Sequence, residues 1–85
     1  MKWAAERDIW VLLDLHGAPG SQNGDSHSGC TIGGVYWDTE WNKLWTKNAV
    51  VALADICGES WNCYGIELLN EPGIDINRDS LISYY

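Results

Sequence analysis

The 85-residue sequence predicts an α/β fold with parallel strands. Two mainly apolar runs, residues 9–16 and 66–71, end in polar residues, which is typical of buried parallel strands that lead to a site. Between them, apolar residues recur at helical spacing, as expected of a right-handed crossover helix. The polar ends of the two strands would then meet at the carboxyl edge of one sheet, where α/β proteins bind ligands.

The first strand is predicted from Ile9 to His16, and residues 1–7 are predicted to be the last turns of a preceding helix. A stretch of turn-forming residues, Gly17 to Gly24, follows the strand and continues neither a helix nor a strand. His16 is therefore predicted to lie at the carboxyl end of the strand, where it faces a loop.

A crossover helix is predicted after this loop. Asp38 or Thr39 is available as its N-cap, and Gly58 is a residue at which it would stop. We expect its apolar face to pack against the core. The residues of that face are Trp41, Leu44, Trp45, Ala49, Ala52, Leu53 and Ile56.

The second strand ends in Asn70, Glu71 and Pro72. Pro72 lacks an N–H group and restricts the residue before it, so the strand stops near Glu71. Hydrolysis of a glycosidic bond requires a carboxylic acid that protonates the leaving oxygen and a second carboxylate that attacks the sugar or activates water. We predict that Glu71 has the first of these roles and that Asn70 hydrogen-bonds a sugar hydroxyl. Residues 74–85 are predicted to begin a further element.

These motifs resemble glycoside hydrolase family five and, within it, the exo-β-1,3-glucanases. The resemblance rests on the segments Asp14 to Gly24 and Gly65 to Pro72. It implies a (β/α)8 barrel, to which this chain would contribute the third strand, the third helix and the fourth strand. Because such barrels take about 250 residues, residues 1–85 would be part of a single catalytic domain, incomplete at both ends. A parallel strand pair alone is expected to fold poorly.

The resemblance also implies roles for individual residues. Glu71 would be the general acid/base of a retaining enzyme, Asn70 and His16 would contact the substrate, and the nucleophile would be a glutamate outside this chain. His27 occupies the position of a substrate-contacting Asn or His, although Asp25 replaces the aromatic residue that the family has nearby. By the same resemblance the protein would be extracellular or in the cell wall, and the 85-residue segment alone would be inactive.

Aromatic residues are abundant, with six tryptophans and four tyrosines, and their flat faces can stack on sugar rings. Most are expected to pack in the interior. Tyr36 and Trp37, in the long loop above the predicted site, are candidate sugar platforms, and anchoring of the helix is the alternative for both. Asp14 and Glu67 lie deeper on the same strand faces as the predicted site, and we expect them to be buried partners of a cation elsewhere in the barrel.

Composition limits the remaining functions. A formal net charge of −7 with five basic residues argues against a nucleic-acid partner and fits a neutral polysaccharide such as β-glucan. No apolar run is long enough to span a membrane.

Cys30, Cys57 and Cys63 are an odd set, so at least one is unpaired or bonded outside the chain. Neither zinc-site spacing nor a nucleotide-binding motif is present, so we expect no metal and no cofactor. The sequence does not predict the oligomeric state.

Two alternative functions remain. A β-1,4-glucanase of the same superfamily would share the Asn-Glu-Pro motif and would differ in the linkage that it cleaves. A non-catalytic relative that has lost its nucleophile would bind glucan without releasing sugar.

Overall fold

The computed structural model describes residues 1–30 and 33–85. In chain order the elements are α1 (Lys2–Ala5), β1 (Val11–Asp14), α2 (Glu40–Gly58), β2 (Cys63–Glu67) and α3 (Arg78–Tyr84). β1 and β2 pair in parallel, with Asp14 opposite Glu67, so the two strands end side by side. The predicted strand–helix–strand order and the parallel pairing are confirmed. β1 ends at Asp14 and β2 ends at Glu67, so both strands end before His16 and Glu71, where the predicted strands end.

The ends of α2 agree with the prediction. Thr39 is the N-cap, and its hydroxyl oxygen accepts a hydrogen bond from the Asn42 N–H group at 3.1 Å. The helix ends at Gly58, and a disulfide between Cys57 and Cys63 joins its last turn to the start of β2. Within the described residues, Cys30 is left without a disulfide partner, as the odd cysteine count requires. The disulfide fixes the amino end of the strand that leads towards Glu71.

The predicted apolar face of α2 is largely exposed. Trp41 and Trp45 are 66% and 51% exposed and contact each other edge to face, with 5.8 Å between ring centroids. The buried residues of the helix are instead Lys43 and Thr46. The expected packing of this face against the core is therefore wrong for the described residues. The reason is that α2 meets the rest of the chain through the side that bonds Trp37 and α3.

The buried core lies between the segment after β2, the loop before α2, and α3. Trp37 is fully buried, donates a hydrogen bond to Thr46 Oγ1 at 3.0 Å, and packs edge-on against Tyr84. Burial, with a smaller contribution from Tyr85, raises the pKa of Tyr84 to about 12. The Tyr84 hydroxyl therefore stays protonated and donates to the Leu68 carbonyl at 2.7 Å. This core holds the backbone immediately before the predicted site.

Large hydrophobic side chains remain exposed around the strand pair, among them Trp3, Trp10, Leu12, Trp61 and Tyr64. We expect the isolated 85-residue segment to unfold without a cooperative transition, because two strands cannot bury both of their faces. Circular dichroism during heating measures this directly. A sharp thermal transition of a monomer, verified by sedimentation, would contradict the prediction.

Candidate active site

The polar ends of the two strands lie next to each other. The Leu15 N–H group donates to the Glu67 carbonyl at 3.1 Å, and the Asn70 N–H group donates to the Leu15 carbonyl at 3.1 Å. These bonds continue the connection between the strands past the last paired residues. His16 and Glu71, which follow directly in sequence, are therefore brought to the same edge of the sheet.

Glu71 is presented to solvent by a strained backbone. Its φ angle is 43°, in the left-handed region that residues other than glycine rarely adopt. The Asn23 side-chain amide donates to the Glu71 carbonyl oxygen at 3.1 Å and holds this conformation. The Glu71 side chain is 72% exposed. Strained residues concentrate at functional sites, and here the strain lies at an accessible carboxyl group.

His27 lies beside this carboxyl group, and His16 lies beside His27. His27 Nε2 is 3.9 Å from Glu71 Oε2 and 3.7 Å from Asp25 Oδ2, and both distances are too long for a hydrogen bond. The rings of His16 and His27 are 5.5 Å apart, measured between centroids. The structure thus brings together three residues that the sequence predicts for the site, although they come from two different loops.

His16 is oriented by Asp14. His16 Nδ1 lies 2.6 Å from Asp14 Oδ2, and because a carboxylate only accepts, the proton of this bond is on Nδ1. His16 Nε2 remains as the ring nitrogen available to a ligand. Within the described residues, Asp14 is thus paired with the site histidine rather than with a cation elsewhere. Glu67, expected to be buried, is exposed because no described element covers that part of β2.

Asn70 carries a buried amide nitrogen, Nδ2, that has no hydrogen-bond partner among residues 1–30 and 33–85. An unpaired buried donor costs about 1–3 kcal/mol of stability. The Asn70 backbone is bonded on both sides, since its N–H group donates to Leu15 and its carbonyl accepts from Gln22. The side chain therefore sits on a fixed backbone, and its buried Nδ2 group has no partner in the described part of the chain.

Trp37 does not line the site. Its side chain is 0% exposed, so neither face of the ring can stack on a sugar, and the prediction of Trp37 as a substrate platform is wrong. The ring is instead inserted between α2 and α3, which corresponds to the alternative of helix anchoring. Tyr36, the other candidate platform, is about half exposed at 52%.

The sequence predicts no individual role for Gln22 or Asn23, yet both side chains bond the backbone at the strand ends. Gln22 is completely buried. Amide side chains within a run of turn-forming residues commonly bond nearby backbone groups, and this was the signal available in the sequence. The partners of these two residues after β2 are 48 positions away, so the sequence pattern alone does not identify them.

Gly20 is required where this loop passes Tyr36. Its φ angle is +77°, and a Cβ atom there would lie 2.5 Å from the Tyr36 carbonyl oxygen. We expect Gly20→Ala to destabilise the full-length protein by about 1–3 kcal/mol more than Gly33→Ala. Gly33 is a matched control, because its φ is +85° but a Cβ there would meet no atom of the described residues within 4 Å. Thermal melts measure both variants, and equal losses would mean that the contact with Tyr36 contributes nothing.

Among the described residues, no group of three or more His, Cys, Asp or Glu side chains is arranged to hold a metal ion. No helix in this part of the chain is both long and apolar enough to cross a membrane.

No protein-family model matches the chain. It is 42% identical over 85 residues to the probable glucan 1,3-beta-glucosidase A of Aspergillus niger, an alignment that covers 98% of this chain and 20% of that protein. It is 46% identical over 71 residues to the glucan 1,3-beta-glucosidase of Blumeria graminis, an alignment that covers 82% of this chain and 16% of that protein. It is 40% identical over 80 residues to glucan 1,3-beta-glucosidase 2 of Saccharomyces cerevisiae, an alignment that covers 85% of this chain and 14% of that protein. The chain thus spans a fifth or less of the length of these curated relatives. Over most of its own length, therefore, the chain is similar to one segment of proteins named glucan 1,3-beta-glucosidase.

Proposed function

We propose that this chain is a segment of a retaining glycoside hydrolase that cleaves β-1,3-glucan, with Glu71 as its general acid/base. The position of Glu71 supports this most directly. It is an exposed carboxyl group, held on constrained backbone at the carboxyl edge of two parallel strands and beside His27. The names of the relatives support glucan as the substrate.

In this mechanism the protonated Glu71 carboxyl donates its proton to the leaving oxygen. The resulting carboxylate then takes a proton from the water that attacks the glycosyl intermediate. We assign the nucleophile to a carboxylate outside these residues, about 5–5.5 Å from the Glu71 carboxyl. Asp14 and Asp25 fit that role less well, because Asp14 is paired with His16 and Asp25 is a loop residue beside His27.

The neighbouring polar residues would bind the substrate. Asn70 would hydrogen-bond the 2-hydroxyl of the reacting sugar through its side-chain amide, a bond that strengthens in the transition state. His16 would bond another hydroxyl through Nε2. His27 lies beside both Asp25 and Glu71 and would contact the sugar on the leaving side, where the family has an aromatic residue.

We further propose that the segment belongs to a (β/α)8 barrel of glycoside hydrolase family five. A parallel strand–helix–strand unit with polar residues at its carboxyl edge is the repeating part of such a barrel. The exposed hydrophobic faces are surfaces that the remaining elements would cover. The disulfide between Cys57 and Cys63 supports an extracellular or cell-wall location, because disulfides persist in oxidising compartments.

The direct test is incubation of the full-length protein with laminarin, a β-1,3-glucan. We expect glucose to be released, and proton NMR of the first product should show the β-anomer, as a retaining mechanism requires. Carboxymethylcellulose is the comparison substrate. Its preferential cleavage would favour the β-1,4-glucanase, and binding of laminarin without sugar release would favour the non-catalytic relative.

A further inference from the structure

We propose that Gln22 is a positioning residue that fixes Glu71 relative to His16. This inference rests on the proposed function, because it gives a catalytic consequence to a side chain that does not touch the substrate. Gln22 lies in the loop after β1 and is completely buried beneath the candidate site. Its side-chain amide bonds the backbone that follows β1 and the backbone that follows β2.

The two hydrogens of the Gln22 amide bond two different strand ends. Nε2 donates to the His16 carbonyl at 2.9 Å and to the Asn70 carbonyl at 2.8 Å. His16 follows β1, and Asn70 follows β2 and directly precedes Glu71. One planar amide therefore sets the spacing between the backbone of the histidine and the backbone of the proposed acid.

The other polar groups of Gln22 hold the surrounding loop. Oε1 accepts a hydrogen bond from the Ala18 N–H group at 3.1 Å, which fixes the amide in one orientation. The Gln22 backbone carbonyl accepts from the Gly73 N–H group at 2.9 Å. Gln22 thus bonds the chain on both sides of Glu71, at Asn70 through its side chain and at Gly73 through its backbone.

Gln22→Glu is the informative substitution. It keeps the shape of the side chain and one acceptor for Ala18, but it removes both N–H donors and, when ionised, turns a carboxylate towards the carbonyls of His16 and Asn70. Displacement of about 1 Å at a reacting group can cost about 10²-fold in rate. We therefore expect kcat to fall about 10²-fold with little change in KM.

Asn62 provides a matched control at the opposite end of the same strands. It is also a buried amide, 1% exposed, and its Nδ2 donates to the Ile9 carbonyl at 2.9 Å and to the Met1 carbonyl at 3.4 Å. Asn62→Asp removes equivalent donors from the amino end of the sheet, away from Glu71. A purely structural role of buried amides predicts the same result for both substitutions.

The experiment measures laminarin kinetics and melting temperatures of the full-length protein, wild type, Gln22→Glu and Asn62→Asp. Both variants should lose thermal stability, but only Gln22→Glu should lose kcat. Relative to wild type at each pH, the Gln22→Glu variant should regain part of its kcat as the pH falls, because the protonated carboxyl can again donate to one carbonyl. If Gln22→Glu does not fold, Gln22→Met is used in its place. Gln22→Met should show the same loss of kcat, without recovery of kcat at low pH.

An unchanged kcat in the Gln22 variants would overturn the positioning role, and so would an equal kcat loss in Asn62→Asp. Both results require an active wild type and leave the proposed function intact. An inactive wild type would instead overturn the proposed function, and the positioning role with it. The wild-type assay therefore separates the two failures.

Discussion

Glu71→Gln is expected to lower the turnover of laminarin by the full-length protein roughly 10²–10⁴-fold, with little loss of glucan binding. The amide has nearly the same shape as the carboxyl group but no acidic proton for the leaving oxygen. The backbone of Glu71 is held by Asn23 and by the strand ends, so the substitution should not disturb the fold. The loss is therefore expected in kcat rather than in KM.

The choice of substrate makes this test specific. An aryl β-glucoside with a strongly acidic phenol as its leaving group needs little proton donation, so Glu71→Gln should slow its cleavage much less than that of laminarin. The control is Glu59→Gln. Glu59 is an exposed residue at the carboxyl end of α2, remote from the site, and its substitution should leave the rates of both reactions unchanged. Hydrolysis of laminarin at the wild-type rate by Glu71→Gln would contradict the assignment of the acid.

The features that the sequence predicts correctly are those fixed by local chemistry. Thr39 caps α2 because its hydroxyl reaches an N–H group three residues away. The parallel pairing follows from two apolar runs joined by a helix, and the ends of those runs lie side by side for the same reason. In each case the relevant partners are near in sequence or are specified by the order of the elements.

The features that it does not predict depend on distant neighbours. Trp37 lies in an irregular loop, where no periodicity distinguishes a buried ring from an exposed one, and its burial is decided by Thr46 and Tyr84. Gln22 is polar, and its complete burial is tolerated only because three backbone groups satisfy its amide. The exposed side of α2 has the apolar spacing of a core helix but is not covered within the described residues.

Asn70→Ala is expected to lower kcat/KM for laminarin roughly 10²–10³-fold while leaving the melting temperature unchanged or raising it. Both backbone bonds of Asn70 survive the substitution, so Glu71 keeps its support. The group removed is a buried donor without a partner in the described residues, which costs stability where it stands. Activity and stability should therefore change in opposite directions, as expected of a side chain retained for its ligand.

Asn62→Ala gives the contrasting result and makes the comparison decisive. The Asn62 amide is paired with the carbonyls of Met1 and Ile9. Its removal should lower the free energy of unfolding by about 1–3 kcal/mol, and with it the melting temperature, without affecting kcat. Thermal melts and laminarin kinetics on the two variants measure both effects. A loss of stability in Asn70→Ala comparable to that in Asn62→Ala would mean that another part of the full-length protein takes the Asn70 hydrogen bond. That outcome would contradict the assignment of this donor to the substrate.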